Sequence, residues 1–429
     1  MKKLYVLVLI FGAALCLQAQ SNYGLRFSSL MSDDLTLENA IRLGLENNSQ
    51  FLSAKEEITV AEQKLSEAKL RYLPQFALQG TASWYKSDSA MVLPEAGISR
   101  LLPATSTLEE NNFYGVGVTA TQYIYSGGRI NGTLKLARTN LKQMQSRYET
   151  VRNTIVLDIK NAFTRLLYAQ ENAALTEKLW KAVEHWYTST EGWSALRQQA
   201  LLAQLKSSYS QAQNELVQAR LAMLVSLNKE INAPLTISGQ LDPVQISGDL
   251  PHFQLWATEF RPELKSAIYA LELDTIAIDL ALSKRYPDIL INASYERVGD
   301  KGLEDENRQV SLAVRLPLPY SFSQQITQKK AEQRKSTLRR AAIEDQIHVQ
   351  VAASYEQMVF WQQEALDRLE TYQALTSLVE RNLKSAPKSG TTGLEALREY
   401  LSVAQSYLEA LRENHIAKAQ LEWAIGKDL

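Results

Sequence analysis

The sequence predicts a mainly α-helical protein with a small β portion, built from a duplicated helix-strand-strand-helix unit. Three observations carry this. Before Pro74 the apolar residues Ile58, Ala61, Leu65 and Ala68 recur at helical spacing; after it Phe76, Leu78, Ala82 and Trp84 alternate with Gln75, Gln79, Thr81 and Ser83. The same pattern returns in the second half of the chain as Lys284-Arg-Tyr-Pro287-Asp-Ile-Leu-Ile-Asn-Ala-Ser-Tyr-Glu296, with Pro287 standing where Pro74 stands in the first. Finally, no proline occurs from Ala104 to Ala233, a window whose later part carries heptad repeats.

The first helix opens at Leu35-Thr-Leu-Glu-Asn-Ala-Ile, where Thr36 suits an N-cap, and is expected to run to about Arg71. A proline pushes the residue before it out of the α region, so the helix becomes a strand at Leu73-Pro74. Strand one spans 75–85. Residues 86–112 hold Asp88, Pro94, Gly97 and Pro103 and read as a polar loop. Strand two, 113–125, sets Tyr114, Val116, Val118, Ala120 and Ile124 against Gly115, Gly117, Thr119 and Thr121, which completes an antiparallel hairpin.

Ser126-Gly127-Gly128 breaks that strand. Leu134, Leu141, Tyr148, Ile155, Ala162 and Ala169 then recur every seven residues, a coiled-coil seam. A helix from Ile130 to about Glu191 is about 90 Å long, more than an ordinary globular domain needs. A second seam, Leu202, Tyr209, Leu216 and Met223, returns from a turn near Thr188 to Ser194. Pro234, Gly239, Pro243, Gly248 and Pro251 mark a linker at 234–252 between a first repeat, 20–233, and a second, 253–429. The second repeat is expected to hold a helix from Arg261-Pro262 to Tyr286, strands at 288–297 and 309–318, a helix from Gln324 to Ser385, and a last helix on the seam Leu394, Leu401 and Leu408.

Composition narrows the function. Lys+Arg of 46 against Asp+Glu of 47 leaves a net charge of −1, so the chain lacks the basic footprint of a nucleic-acid binder. Met1-Lys-Lys, an apolar run from Leu4 to Leu17 and small Ala19 describe a secretory leader cleaved after residue 19. The single cysteine, Cys16, falls inside it, so neither a disulfide nor a cysteine metal site is expected. Beyond residue 20 no apolar run approaches a spanning helix, which leaves two readings: a soluble protein outside the cytoplasm, or one crossing a membrane as β-strands.

Four strands with one apolar face cannot stand in lipid as an open sheet, because their edge amides would be unsatisfied; strands of other copies must close them. Trp84, Tyr85, Phe113, Tyr114, Tyr123 and Tyr125 sit where an aromatic girdle would lie. Together these features resemble the TolC-like outer-membrane efflux protein family. The matching segments are Leu35-Thr-Leu-Glu-Asn-Ala-Ile with Glu46-Asn-Asn48, Leu73-Pro74 with Tyr286-Pro287, Tyr125-Ser-Gly-Gly-Arg129, and Gly390-Thr-Thr-Gly-Leu-Glu-Ala-Leu.

The resemblance implies a homotrimer whose three chains give four strands each to one twelve-stranded β-barrel, continued by a barrel of long helices. It also implies a passive exit duct serving an inner-membrane transporter and a periplasmic adaptor, with no cofactor. Family members are often narrowed at the inner tip by two acidic residues three apart. Here Glu395 matches the first, Arg398 replaces the second, and Glu399 adjoins it. Carboxylates in a ring of three would attract cations, and pairing with Arg398 would hold a closed state. If the apolar faces meet outer-membrane lipid, Gln79, Thr81, Ser83, Asn292, Ser294, Glu296, Ser311 and Arg315 line the lumen. The contrasting reading is a soluble periplasmic coiled-coil scaffold or adaptor without a pore.

No enzyme is indicated. His185, His252, His348 and His415 are scattered without metal-ligand spacing, and neither a phosphate-binding loop nor a nucleophile elbow is present.

Overall fold

A computed structural model describes residues 35–85, 111–184, 192–299, 303–317, 321–385 and 390–429. The expected leader, the loop of the first hairpin and most of the turn near residue 188 lie outside the described residues. In chain order the elements are α1 (Leu37–Asn47), α2 (Ser49–Leu70), β1 (Gln75–Tyr85), β2 (Asn111–Tyr125), α3 (Arg129–Val183) and α4 (Trp193–Ser226). They continue with α5 (Leu250–Phe260), α6 (Pro262–Ser283), β3 (Asp288–Gly299), β4 (Asp305–Arg315), α7 (Phe322–Ser385) and α8 (Gly390–Ile425). At 1.5 Å per residue α3 is about 80 Å long and α7 about 95 Å.

The expected first helix, 36–71, is two helices. Asn48, extended at φ −77° and ψ 119°, ends α1, and its side-chain oxygen accepts the N–H groups of Gln50 (2.9 Å) and Phe51 (3.2 Å). The second repeat breaks at the equivalent place, Arg261, by other means. Arg261 takes φ −61° and ψ 118° because Pro262 follows, and α6 begins with that proline at its first turn. Ahead of that break α5 opens at Leu250, inside the expected linker.

The four strands form one antiparallel sheet in sequence order β1-β2-β3-β4. Two details differ from expectation. A register shift between Tyr123 and Tyr125 sets Tyr125, rather than Ile124, opposite Ile289. The fourth strand, expected at 309–318, runs from Asp305 to Arg315 and stops before Pro317, which has no N–H to continue a ladder; residue 318 lies outside the described residues.

Buried side chains gather in patches along the helices. At the equator Ile159, Phe163, Leu227, Leu235 and Leu411 form one cluster, and Phe253, Leu264, Val351, Leu421 and Ile425 form another. At the far end Leu179, Val183, Leu201, Leu394, Leu401 and Ala404 form a third. The linker is held against the equator: Asn414, fully buried, accepts from the Val244 N–H (2.8 Å) and donates to its carbonyl (3.2 Å).

Nearby the His415 ring nitrogen bonds the Asp242 carbonyl at 2.8 Å, and burial holds its pKa below the ordinary histidine value. A depressed histidine pKa means that the unfolded chain takes up the proton first. Stability is therefore full above about pH 6.5 and is lost as pH falls below it. Melting measured between pH 7.5 and 5.5 is expected to drop on acidification, and His415→Gln is expected to flatten that drop.

Candidate functional site: the strand wall and the helical tip

The strand register sorts the side chains into two faces. On one, Gln79, Thr81 and Ser83 lie beside Gly117, Gly115 and Phe113, and Thr119, Thr121 and Gly117 lie beside Ser294, Asn292 and Glu296. Asn292 pairs in turn with Ser311, and Asp288 with Arg315. All eight residues expected at a lumen thus share this polar face, where Thr121 donates to Asn292 (2.9 Å) and Asn307 to Glu296 (2.6 Å). Gly117 makes room there: a Cβ would stand 3.0 Å from that of Glu296 and 3.1 Å from the Tyr295 carbonyl.

The opposite face carries Phe76, Leu78, Val116, Val118, Ile291, Val310, Leu312 and Val314, and among the described residues nothing covers it. Leu78 is 78 % exposed and Val310 79 %. An uncovered apolar sheet of this size marks a surface that meets lipid or protein. Tyr125 and Tyr286 flank it at the helix end and Tyr114 and Tyr295 at the loop end, all exposed. The side chains of Trp84, Tyr85 and Phe113 lie outside the described residues. At the loop end Arg297 and Arg308 share Glu306 at 3.3 and 3.1 Å, and the Arg308 guanidinium lies 5.7 Å from the Tyr295 ring. Charges sit where the apolar band stops, as at a membrane interface.

A joint couples strands to helices. Gly127 adopts φ +60°, and a Cβ on it would lie 2.6 Å from that of Tyr286 and 2.8 Å from the Ser283 carbonyl. Just beyond it, Arg129 opens α3 with an ion pair to Asp288 at the start of β3, both largely shielded from water. The Ser-Gly-Gly-Arg segment was visible in the sequence; its partner Asp288 was not. A signal did exist, because Asp288 follows the repeated Tyr286-Pro287.

At the tip, Glu395 pairs with Arg197 of α4 at 2.6 Å. Arg398 bonds its neighbour Glu399 at 2.5 Å, so the expected Glu395–Arg398 pair is replaced by one joining the two repeats. The helix α4 runs alongside α8, which brings the Arg197 guanidinium to Glu395. A second bridge between the repeats, Lys178 to Glu380 at 3.2 Å, lies in the same region. Both bridges are substantially exposed, and such pairs are worth about 0–1 kcal/mol each. Nothing local in the sequence singles out Arg197, since its partner lies in another repeat.

Among the described residues no helix is long and apolar enough to cross a membrane. The chain joins a four-stranded sheet with one apolar face to long helices. Residues 40–229 match the family model described as outer membrane efflux protein. The fold of the chain is similar to that of CusC, whose structures concern transmembrane channel formation, with TM-score 0.73, 15% identity and coverage of 94% of this chain and 96% of the other. It is also similar to the Neisseria gonorrhoeae MtrE outer membrane channel, with TM-score 0.74, 18% identity and coverage of 91% and 89%. The Vibrio cholerae outer membrane protein VceC gives TM-score 0.71 at 13% identity, covering 91% and 96%. No curated protein sequence matches the chain.

Proposed function

We propose that this chain is one third of an outer-membrane channel, the passive exit duct of a tripartite efflux or secretion system, and that it is not an enzyme. The carrying observation is the sheet: four strands whose one face is apolar and, among the described residues, uncovered, with both edge strands open. Lipid does not tolerate unpaired edge amides, so β4 of one copy joins β1 of the next until three chains close twelve strands. The apolar face then meets outer-membrane lipid, and the polar face with Gln79, Thr81, Ser83, Asn292, Ser294, Glu296, Ser311 and Arg315 lines the lumen. The long helices extend into the periplasm as the α-barrel, which meets the periplasmic adaptor and the inner-membrane pump. In this reading residues 1–19 are a removed leader, and repeats 20–233 and 253–429 flank the linker 234–252.

Glu395, Arg398 and Glu399 lie at the periplasmic end, where the duct must narrow when idle. The Arg197–Glu395 bridge supports a latch there that opens at small cost. Purified protein in planar bilayers is expected to give discrete conductance steps, and Arg197→Ala to raise the open fraction roughly two- to fivefold. Recovery as a detergent-free monomer that leaves bilayers silent would overturn the channel reading. An unchanged open fraction in Arg197→Ala would overturn only the latch.

A further inference from the structure

The duplication supplies a template for the junction that a single chain leaves open. Within the chain α3 packs against α6: a Cβ on Gly132 would fall 2.6 Å from Leu280 Cδ2, and Lys142 Nζ lies 5.9 Å from the centre of the Tyr269 ring. The counterpart of α3 in the second repeat is α7, with Gln324 in the place of Ile130, and the first-repeat counterpart of α6 is α2, with Pro74 in the place of Pro287. Gly132 and Leu280 therefore correspond to Ile326 and Glu67, and Lys142 and Tyr269 to Ser336 and Glu56. Laid against the α2 of a neighbouring copy in this register, α7 brings Lys330 level with Glu62, Lys335 level with Glu57 and one residue from Glu56, and Leu338 with the turn holding Leu52.

This stretch of α7 is strongly basic, and α2 carries Glu56, Glu57, Glu62 and Glu67 against Lys55, Lys64 and Lys69, a small acidic excess. Between Gln328 and Arg340, α7 carries Lys329, Lys330, Arg334, Lys335, Arg339 and Arg340 against the single acid Glu332, in a chain whose net charge is only −1. Its inner side is occupied by α6, through Ser336 to Asp274 and Gln333 to Thr275 at 2.9 Å. Lys330, Arg334, Lys335 and Leu338 are exposed, Leu338 at 72 %. On α2 the stripe Ala54, Ala61 and Ala68 is buried, with Ala68 packed on α3. At 100° per residue, Leu52, Glu56 and Glu62 lie away from that stripe, and all three are exposed.

We propose that the copies are joined outside the membrane by a charged seam, in which Lys330, Arg334 and Lys335 of α7 meet Glu56 and Glu62 of the next copy's α2 around a contact between Leu338 and Leu52. The proposal rests on the trimeric reading above and adds the chemistry that selects the partner. Because basic meets acidic head to tail, the seam favours the heterologous contact that closes a ring and opposes α7 meeting α7.

A charge exchange in the full-length protein tests it. K330E/R334E/K335E and E56K/E62K are each expected to reduce the heat-resistant trimer on gels and the native trimer mass about tenfold or more, because like charges then face each other. All five substitutions together are expected to restore it, and raising salt is expected to weaken the wild-type trimer. Failure of the combination to recover what each parent lost would overturn the seam. Unchanged trimer in both parents, with altered ion selectivity in bilayers, would instead assign these cations to the lumen wall. A wild-type protein that is itself monomeric would overturn the trimeric reading and leave the seam without a partner.

Discussion

Gly127→Ala is expected to destabilise the protein by about 3 kcal/mol or more, whereas Gly128→Ala, at the next position, should cost about 1–2 kcal/mol. Both glycines have positive φ, +60° and +81°, which charges any L side chain the same backbone penalty. They differ in what a new methyl group meets. At Gly127 it would strike the Tyr286 Cβ at 2.6 Å and the Ser283 carbonyl at 2.8 Å; at Gly128 it meets nothing within 4 Å. The obstructed atoms belong to the turn that leads from α6 into β3. Relief therefore requires moving the joint between helices and strands, the same joint fixed by Arg129 and Asp288. Thermal melting of the purified protein, followed by circular dichroism, measures the difference. Equal effects at the two positions would show that the joint does not depend on this close approach.

Arg261→Ala is expected to cost about 3–5 kcal/mol, the loss seen when one partner of a buried charged network is removed. Arg261 is 3 % exposed, and its guanidinium donates to Glu263 (2.9 Å), Gln350 (2.9 Å) and the carbonyls of Trp423 (3.2 Å) and Ala424 (3.0 Å). It also lies 4.3 Å from the Trp423 ring centre. No other side chain offers that fork, so Arg261→Lys should recover less than half of the loss. The network ties the break between α5 and α6 to α7 and to the end of α8, so the variant should also loosen the C-terminal turn. Hydrogen exchange across 420–429 reports that loosening. A loss under about 1 kcal/mol, with exchange unchanged, would mean that water replaces the guanidinium there.

Where the sequence spoke plainly, the signal was local and periodic. Phe76, Leu78 and Ala82 alternate because a strand exposes successive side chains to opposite faces, and β1 occupies the span that this alternation marks out. The polar face assembled from eight separately read residues follows from the same rule once the register is known. Features that depend on one side chain finding a backbone group escaped notice. Asn48 breaks the first helix without a proline, because its amide oxygen satisfies two N–H groups that a continuous helix would satisfy by itself. The register shift beside Tyr123 is likewise invisible in a strand read alone, since it exists only relative to β3.

By itself the sequence determined that the unit occurs twice, which segments are helix or strand, and which face of each strand is apolar. These properties arise from near neighbours along the chain. The tertiary structure alone decided that Arg197 rather than Arg398 holds Glu395, that Asp288 receives Arg129, and that Arg261 binds two carbonyls of the last helix. The partners in each case lie in different repeats or at opposite ends of the same one, and no periodicity along a sequence encodes a distance across a fold.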